Sequence, residues 1–328
     1  MKKVAIIGDG GWGTALALLL HSKGVKTVLW SNFPDYAARM DRERENVKFL
    51  KGVPLPDDLA ITADDAVAKD AETAVFAVPC EYLRSVIDRF SGASFKHIVS
   101  ATKGIEKGSL KRPSEIHKDA FTGSRICVLS GPSISFEVAR KMPTTVVVAS
   151  ENNSRKEVQQ LLMSDRFRIY TSADVIGVEL GGALKNIIAI AAGISDGLGF
   201  GTNTKAAILT RGLAEITRLG VKMGAESATF RGLSGLGDLA TTCISPHSRN
   251  RWLGEQIAKG RDIEEALGET EMVAEGMATS GSAYQASRKY GVVMPITEKV
   301  YQILYEGKDP ATAVRELMTR DPKEEDYE

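Results

Sequence analysis

Val4-Ala5-Ile6-Ile7-Gly8-Asp9-Gly10-Gly11-Trp12-Gly13-Thr14-Ala15-Leu16-Ala17 runs from a short apolar stretch through a glycine-rich turn into an amphipathic segment. That order predicts a β-strand, a tight turn and a helix. Gly8, Gly10 and Gly13 fit G-x-G-x-x-G, with Gly11 beside them. In that pattern the glycines allow a sharp turn, backbone approach to a pyrophosphate and close helix–strand packing. The helix N-terminus adds amide donors for an anion. A glycine string alone is common. Its place directly after a strand and at a helix start makes it a candidate dinucleotide site.

Working outward, further apolar runs at residues 27–30, 74–78, 97–101, 126–130 and 145–149 are predicted strands. Most are nearly continuous, as expected of strands buried on both faces of a parallel sheet. Helical segments such as 12–21 and 81–90 lie between them, giving βαβ grammar. After about Thr171 the grammar changes. Residues 175–194 place Ile176, Leu180, Leu184, Ile187, Ala191 and Ile194 at helical spacing, and helices are predicted at 204–219, 249–259, 263–267, 277–290 and 296–305. The predicted architecture is therefore α/β followed by all-α. Residues 1–172 form a Rossmann-type, doubly wound dinucleotide-binding domain, and residues 173–328 a helical substrate-binding and catalytic domain.

Composition narrows the class of partner. The chain has 328 residues, with 42 Lys and Arg against 42 Asp and Glu, and is 43% hydrophobic and 26% charged. Zero net charge gives no bulk attraction to nucleic acid or an anionic membrane, though it permits a local anion site. Cys80, Cys127 and Cys243 are too scattered for a disulfide framework, and His21, His97, His117 and His247 have no metal-ligand spacing. No metal is expected, and a reducing cytoplasm is the default. The apolar run at residues 4–7 is too short for a signal peptide, and no uncharged stretch is long enough for membrane insertion.

Other motifs sit where such a sheet binds ligands. The acid that usually ends the second strand is missing, since Trp30-Ser31-Asn32 occupies its place; this removes a repulsion against the NADP 2′-phosphate. Arg39, Arg42 and Arg44 follow, more simply a solvated helix face than a phosphate clamp. Val78-Pro79, Ala101-Thr102-Lys103-Gly104 and Ser130-Gly131-Pro132-Ser133 each follow a predicted strand. Helix capping alone could account for Pro132 and Ser133.

In the second half, Leu180-Gly181-Gly182-Ala183-Leu184-Lys185-Asn186 puts Lys185 on a helix face with Gly181, Gly182, Ala189 and Ala192. Two adjacent glycines cost a helix interior about 1 kcal/mol each, so they point to a steric need, either helix packing or a flat cofactor. Packing does not explain the lysine. Burial beside another cation would make its neutral amine available as a base. Leu233-Ser234-Gly235-Leu236-Gly237-Asp238 is a glycine-rich turn whose acid most simply caps a helix. Ser248-Arg249-Asn250 suits phosphate capture at a helix start, and Val273-Ala274-Glu275-Gly276 precedes another helix.

Taken in order, GDGGWGTALA, ATKG, SGPS, ELGGALKNIIAI, GLGDLATTC, SRNR and VAEG resemble NAD(P)-dependent glycerol-3-phosphate dehydrogenase of the bacterial type over most of the chain. The resemblance implies interconversion of sn-glycerol 3-phosphate and dihydroxyacetone phosphate for phospholipid synthesis, with NAD or NADP, in a homodimer. By motif match Lys185 is similar to the proton acceptor. Lys103 matches a contact to substrate and cofactor. Gly131, Ser133, Asp238, Ser248, Arg249 and Asn250 match substrate positions, Arg249 also lying near the cofactor. Gly11, Trp12, Asn32, Ser135, Val273 and Glu275 match cofactor positions.

Asp9 and Gly11 stand where many members have Ala and Ser, and Asn32 where others are basic or carry histidine. The chemistry expected is hydride transfer from C2 of a secondary alcohol while Lys185 takes the hydroxyl proton, with Asp238 orienting the lysine or a substrate hydroxyl and Arg249 and Asn250 holding the phosphate. Lys103, Lys185 and Arg249 would converge on one dianion. A 3-hydroxyacid or phosphogluconate-type dehydrogenase, and a dinucleotide-binding sensor without turnover, are the competing readings. Lys185 and the Ser248-Arg249-Asn250 group speak against the sensor.

Overall fold

Alternate residues of the central strands enter different apolar clusters, which is why these strands read as continuous hydrophobic runs. The structure, a computed structural model, describes residues 3–269, 275–322 and 324–325. Among these, β1 (Val4–Ile7), β2 (Thr27–Trp30), β3 (Ala60–Thr62), β4 (Thr73–Phe76), β5 (His97–Ser100), β6 (Arg125–Ser130), β7 (Thr144–Ala149) and β8 (Phe167–Ser172) form an eight-stranded sheet. Val4, Ile6, Leu29, Val75 and Val99 belong to one cluster, and Ala5, Ile7, Val28, Trp30, Ala74, Phe76 and Ile98 to the other. Helices α1 (Gly11–Ser22), α2 (Pro34–Glu43), α3 (Asp65–Lys69), α4 (Leu83–Arg89), α5 (Pro113–Ala120), α6 (Ser135–Ala139) and α7 (Ser154–Leu162) intervene. The predicted helix at 81–90 divides into a 3₁₀ turn, Cys80–Tyr82, and α4.

The strand order is β3-β2-β1-β4-β5-β6-β7-β8. Pairings from β3 through β6 are parallel, β6 and β7 are antiparallel, and β7 and β8 are parallel again. The sheet is thus parallel-rich rather than wholly parallel. The apolar run of β7 carries no mark of direction. β3 and β8 lie outside the predicted strands. Both are edges: β3 has three residues and no fully buried one, and Arg168 and Tyr170 of β8 are exposed.

The chain divides into two compact units: residues 1–103 with 111–179, and residues 104–110 with 180–328. The division falls within helix α8 (Val175–Gly197), between Glu179 and Leu180. Helices α9 (Thr202–Lys222), α10 (Asp238–Ile244), α11 (Arg249–Ala258), α12 (Ile263–Gly268), α13 (Glu275–Tyr290), α14 (Pro295–Glu306) and α15 (Pro310–Met318) follow, with no strand after Ser172 among the described residues. By length and mean hydropathy, 1.6 over its most apolar window, α8 could cross a membrane; 89% of that window is buried inside the protein, as in a core helix.

Glycines let the second unit pack backbone against backbone. A Cβ on Gly193 of α8 would lie 1.8 Å from the Arg251 carbonyl oxygen, and one on Gly254 of α11 would lie 2.1 Å from that of Ile190. α8 and α11 therefore touch through both glycines. Glu215 of α9 accepts from the Ile296 and Thr297 backbone N–H groups at 2.7 and 3.1 Å, capping α14 behind Pro295.

Candidate active site

In the first unit the site grows from the turn after β1. Gly8 donates its N–H to the Trp30 carbonyl at 3.0 Å, and its φ of +113° lies in the region that favours glycine. A Cβ on Gly13 would sit 2.0 Å from the Gly8 carbonyl oxygen, so α1 rests on the end of β1. One on Gly11 would meet the Phe49 carbonyl oxygen at 2.7 Å and Ser135 Oγ at 2.9 Å, which brings Ser135 to the turn. Gly10 differs: a Cβ there would meet nothing within 4 Å. α1 has no side-chain cap and no acid in its first turn, leaving its amides for an anion. Trp12 Nε1 is buried without a hydrogen-bond partner. An open glycine, uncapped amides and an orphaned donor fit the pyrophosphate end of a dinucleotide.

The neighbouring strand ends complete this edge. Asn32 Oδ1 accepts from Arg89 Nη1 at 2.7 Å, while Arg89 donates to both Asp65 oxygens and lies over the Trp30 ring at 4.8 Å. Arg39 and Arg42 pair with Glu43 of α2, while Arg44, the α2 C-cap, pairs with Asp41 and donates to the Pro56 and Leu59 carbonyls. After β5, Thr102 Oγ1 donates to the Val78 carbonyl at 2.9 Å, tying two strand-end loops together. Lys103 Nζ donates to Ser133 Oγ at 3.5 Å, and Ser133 Oγ donates to the Gly131 carbonyl at 2.9 Å. α6 begins at Ser135, so Pro132 and Ser133 precede its first turn rather than forming it.

The second unit gathers the other candidates. Lys185 Nζ donates to Asp238 Oδ1 and to Thr242 Oγ1, each at 2.6 Å, with the Lys185 and Asp238 side chains 7% and 2% exposed. Asp238 and Thr242 are four apart in α10 and share a face. A five-residue π turn, Leu233–Gly237, delivers Asp238. It fits because a Cβ on Gly181 would lie 2.4 Å from the Ser234 carbonyl oxygen. The steric need behind Gly181 is thus the approach of this turn. Within this unit Asp238 sets a carboxylate against Lys185, whereas the sequence leads one to expect a second cation beside it. Thr242 was missed; its spacing of four from Asp238 was the available signal. Burial pushes the neighbouring Cys243 thiol up to about 12, leaving it protonated.

The Ser248-Arg249-Asn250 group is used partly in building the fold. Ser248 Oγ accepts from the Arg251 N–H at 3.3 Å as the N-cap of α11, and Asn250 Oδ1 accepts from the Gly276 N–H at 2.9 Å. Arg249 is exposed at the start of α11; desolvation of its guanidinium pulls its pKa down while the field of Glu275 opposes this. Glu275 Oε2 accepts from Asn186 Nδ2 at 3.4 Å. Val273, a sequence candidate for cofactor contact, lies outside the described residues. Among the described residues no group of three or more His, Cys, Asp or Glu is placed to hold a metal ion.

A glycine turn of this kind at the first strand of a parallel-rich sheet, followed by a helical unit with a buried lysine, defines a nicotinamide-dinucleotide-dependent dehydrogenase. Comparison with known proteins narrows the class. Residues 3–156 match the N-terminus, and residues 174–315 the C-terminus, of NAD-dependent glycerol-3-phosphate dehydrogenase, and the chain belongs to this family. Glycerol-3-phosphate dehydrogenase (NAD(P)+) of Prosthecochloris aestuarii is 49% identical over 98% of this chain and 99% of its own length. That of Pelotomaculum thermopropionicum is 50% identical over 97% and 93%. The crystal structure of glycerol-3-phosphate dehydrogenase from Coxiella burnetii superposes with a TM-score of 0.94 at 40% identity, covering 97% of this chain and 99% of that one.

Proposed function

We propose that the protein interconverts sn-glycerol 3-phosphate and dihydroxyacetone phosphate with NAD or NADP, supplying glycerol 3-phosphate for phospholipid synthesis. The observation that carries this reading, beside family membership, is Lys185: a lysine buried in an apolar helix and bound by Asp238 and Thr242. A bound reduced nicotinamide supplies the hydride that adds to the carbonyl carbon of dihydroxyacetone phosphate. Lys185 Nζ gives its proton to the carbonyl oxygen as that oxygen gains charge, and takes it back in the reverse direction. Asp238 stabilises the ammonium beforehand, and Thr242 fixes where Nζ points. Arg249, cationic at any working pH, binds the substrate phosphate with Ser248 and the Asn250 amide. Lys103, Gly131 and Ser133 serve as further substrate contacts. Gly8, Gly10, Gly11, Trp12, Gly13, Asn32, Ser135, Val273 and Glu275 serve the dinucleotide.

The test is steady-state reduction of dihydroxyacetone phosphate with NADH and NADPH in parallel, followed at 340 nm. Turnover of 3-hydroxy acids in place of the phosphotriose would favour the competing reading. Lys185→Ala is expected to lower turnover by at least ~100-fold while the protein stays folded; wild-type-like turnover would remove the lysine from the mechanism. We further place the enzyme in the cytoplasm as a homodimer, as its family resemblance implies; a monomeric mass by light scattering would reject the dimer.

A further inference from the structure

Trp30-Ser31-Asn32 ends the second strand without the acid that reads ribose in many dinucleotide folds. The tertiary structure brings one from the glycine-rich turn. Ser31, the first residue past β2, donates its hydroxyl hydrogen to Asp9 Oδ2 at 2.8 Å, so the Asp9 carboxylate stands at the end of that strand. The Ser31 oxygen also accepts from the Phe33 N–H at 3.1 Å. The Asp9 carbonyl accepts from Thr14 Oγ1 at 3.2 Å and Asn46 Nδ2 at 2.7 Å, which fixes the turn. Asp9 is 7% exposed and adjoins Gly10, the turn glycine beside which space is open.

We propose that Asp9 reads the adenosine ribose of the bound dinucleotide and so favours NAD over NADP. A carboxylate at this place accepts from ribose hydroxyls and repels a 2′-phosphate. The nearby cation that could welcome that phosphate, Arg89, already donates to both oxygens of Asp65 and to Asn32. Lys48 adds only the smallest of the effects on Asp9, and lies over the Tyr36 ring at 5.2 Å. Burial pushes the Asp9 carboxyl above its ordinary range, so the turn holds an acid that is costly to keep there without a use.

The inference rests on the dinucleotide reading above, and the experiment separates the two. Calorimetric titration would measure ADP-ribose and 2′-phospho-ADP-ribose against the wild-type protein and Asp9→Asn. The asparagine keeps an oxygen for Ser31 and loses the charge. Wild type is expected to bind ADP-ribose at least about tenfold tighter, and Asp9→Asn to shrink that ratio by about tenfold. Equal wild-type affinities, or a ratio unchanged in a folded Asp9→Asn protein, overturn the inference and leave the dinucleotide reading standing. Binding of neither ligand overturns both. Were Asp9→Asn not to fold, the wild-type ratio alone decides.

Discussion

A lysine ammonium removed from water needs partners, and Lys185 has two oxygens at 2.6 Å. They do different work. Asp238 compensates charge, whereas Thr242 offers a neutral oxygen, itself donating to the Asp238 carbonyl at 2.7 Å. Thr242→Val keeps the shape and deletes only the neutral partner. It is expected to lower kcat by roughly tenfold with little change in KM, because a displaced proton donor weakens the transition state more than substrate binding. Steady-state kinetics check this; a change confined to KM would make Thr242 a binding residue instead. Lys185 was legible because a lysine in a run of Leu, Ile, Ala and Gly has no packing rationale. Of its partners, Asp238 is expected to orient either the lysine or a substrate hydroxyl, while Thr242 was missed, since both lie more than fifty positions away and only folding selects which polar residues meet the lysine.

At the scale of elements, the small residues of α8 have a packing reason. Alanine normally outranks glycine in a helix by about 1 kcal/mol, so propensity alone makes Gly193→Ala stabilising. The contact with the Arg251 carbonyl reverses that sign. Gly193→Ala is expected to destabilise the protein by about 1–3 kcal/mol, the usual cost of overpacking, read as a lowered denaturation midpoint at unchanged m-value. An unchanged or raised midpoint would mean that α8 and α11 can part freely. Glycines in a helical run announce that something approaches closely; the sequence does not say what. The sheet follows the same rule. Its central strands stood out because both their faces are apolar, while edge strands β3 and β8 carry mixed, partly exposed residues that read as loop.

Across the molecule, each unit buries an ionisable group that titrates against the fold, with opposite pH dependence. His117 in the first unit is fully buried against Phe76 and Phe121, and burial lowers its pKa to about 3 from an ordinary 6.5. It stays neutral in the fold while the unfolded chain takes up a proton, so its contribution holds above pH 6.5 and is lost as pH falls toward 3. Glu215 in the second unit is pushed from 4.5 up to about 7 by burial. Its contribution is complete below pH 4.5 and is lost as pH rises through 7. Each amounts to a few kcal/mol at most. Amide-exchange protection, corrected for intrinsic rates, should weaken in the first unit between pH 6.5 and 4, and in the second unit between pH 5 and 8. His117→Leu and Glu215→Gln should flatten the respective slopes. Parallel loss in both units would contradict the assignment.

By itself the sequence determined the βαβ grammar, the glycine turn, the change to helices and the presence of an anomalous buried lysine. These are local properties: periodicity, apolar runs and residues too costly for their surroundings. The tertiary structure alone decided the direction of β7, the choice of Thr242 as the second partner of Lys185, the pairing of Arg39 and Arg42 within α2, and the carboxylate at the end of β2. Each depends on contacts between residues distant in the chain or on side-chain geometry, which composition and spacing leave open. Asp9 gives the clearest case: an acid missing from its usual place in the sequence is returned there by the fold, from the turn after β1.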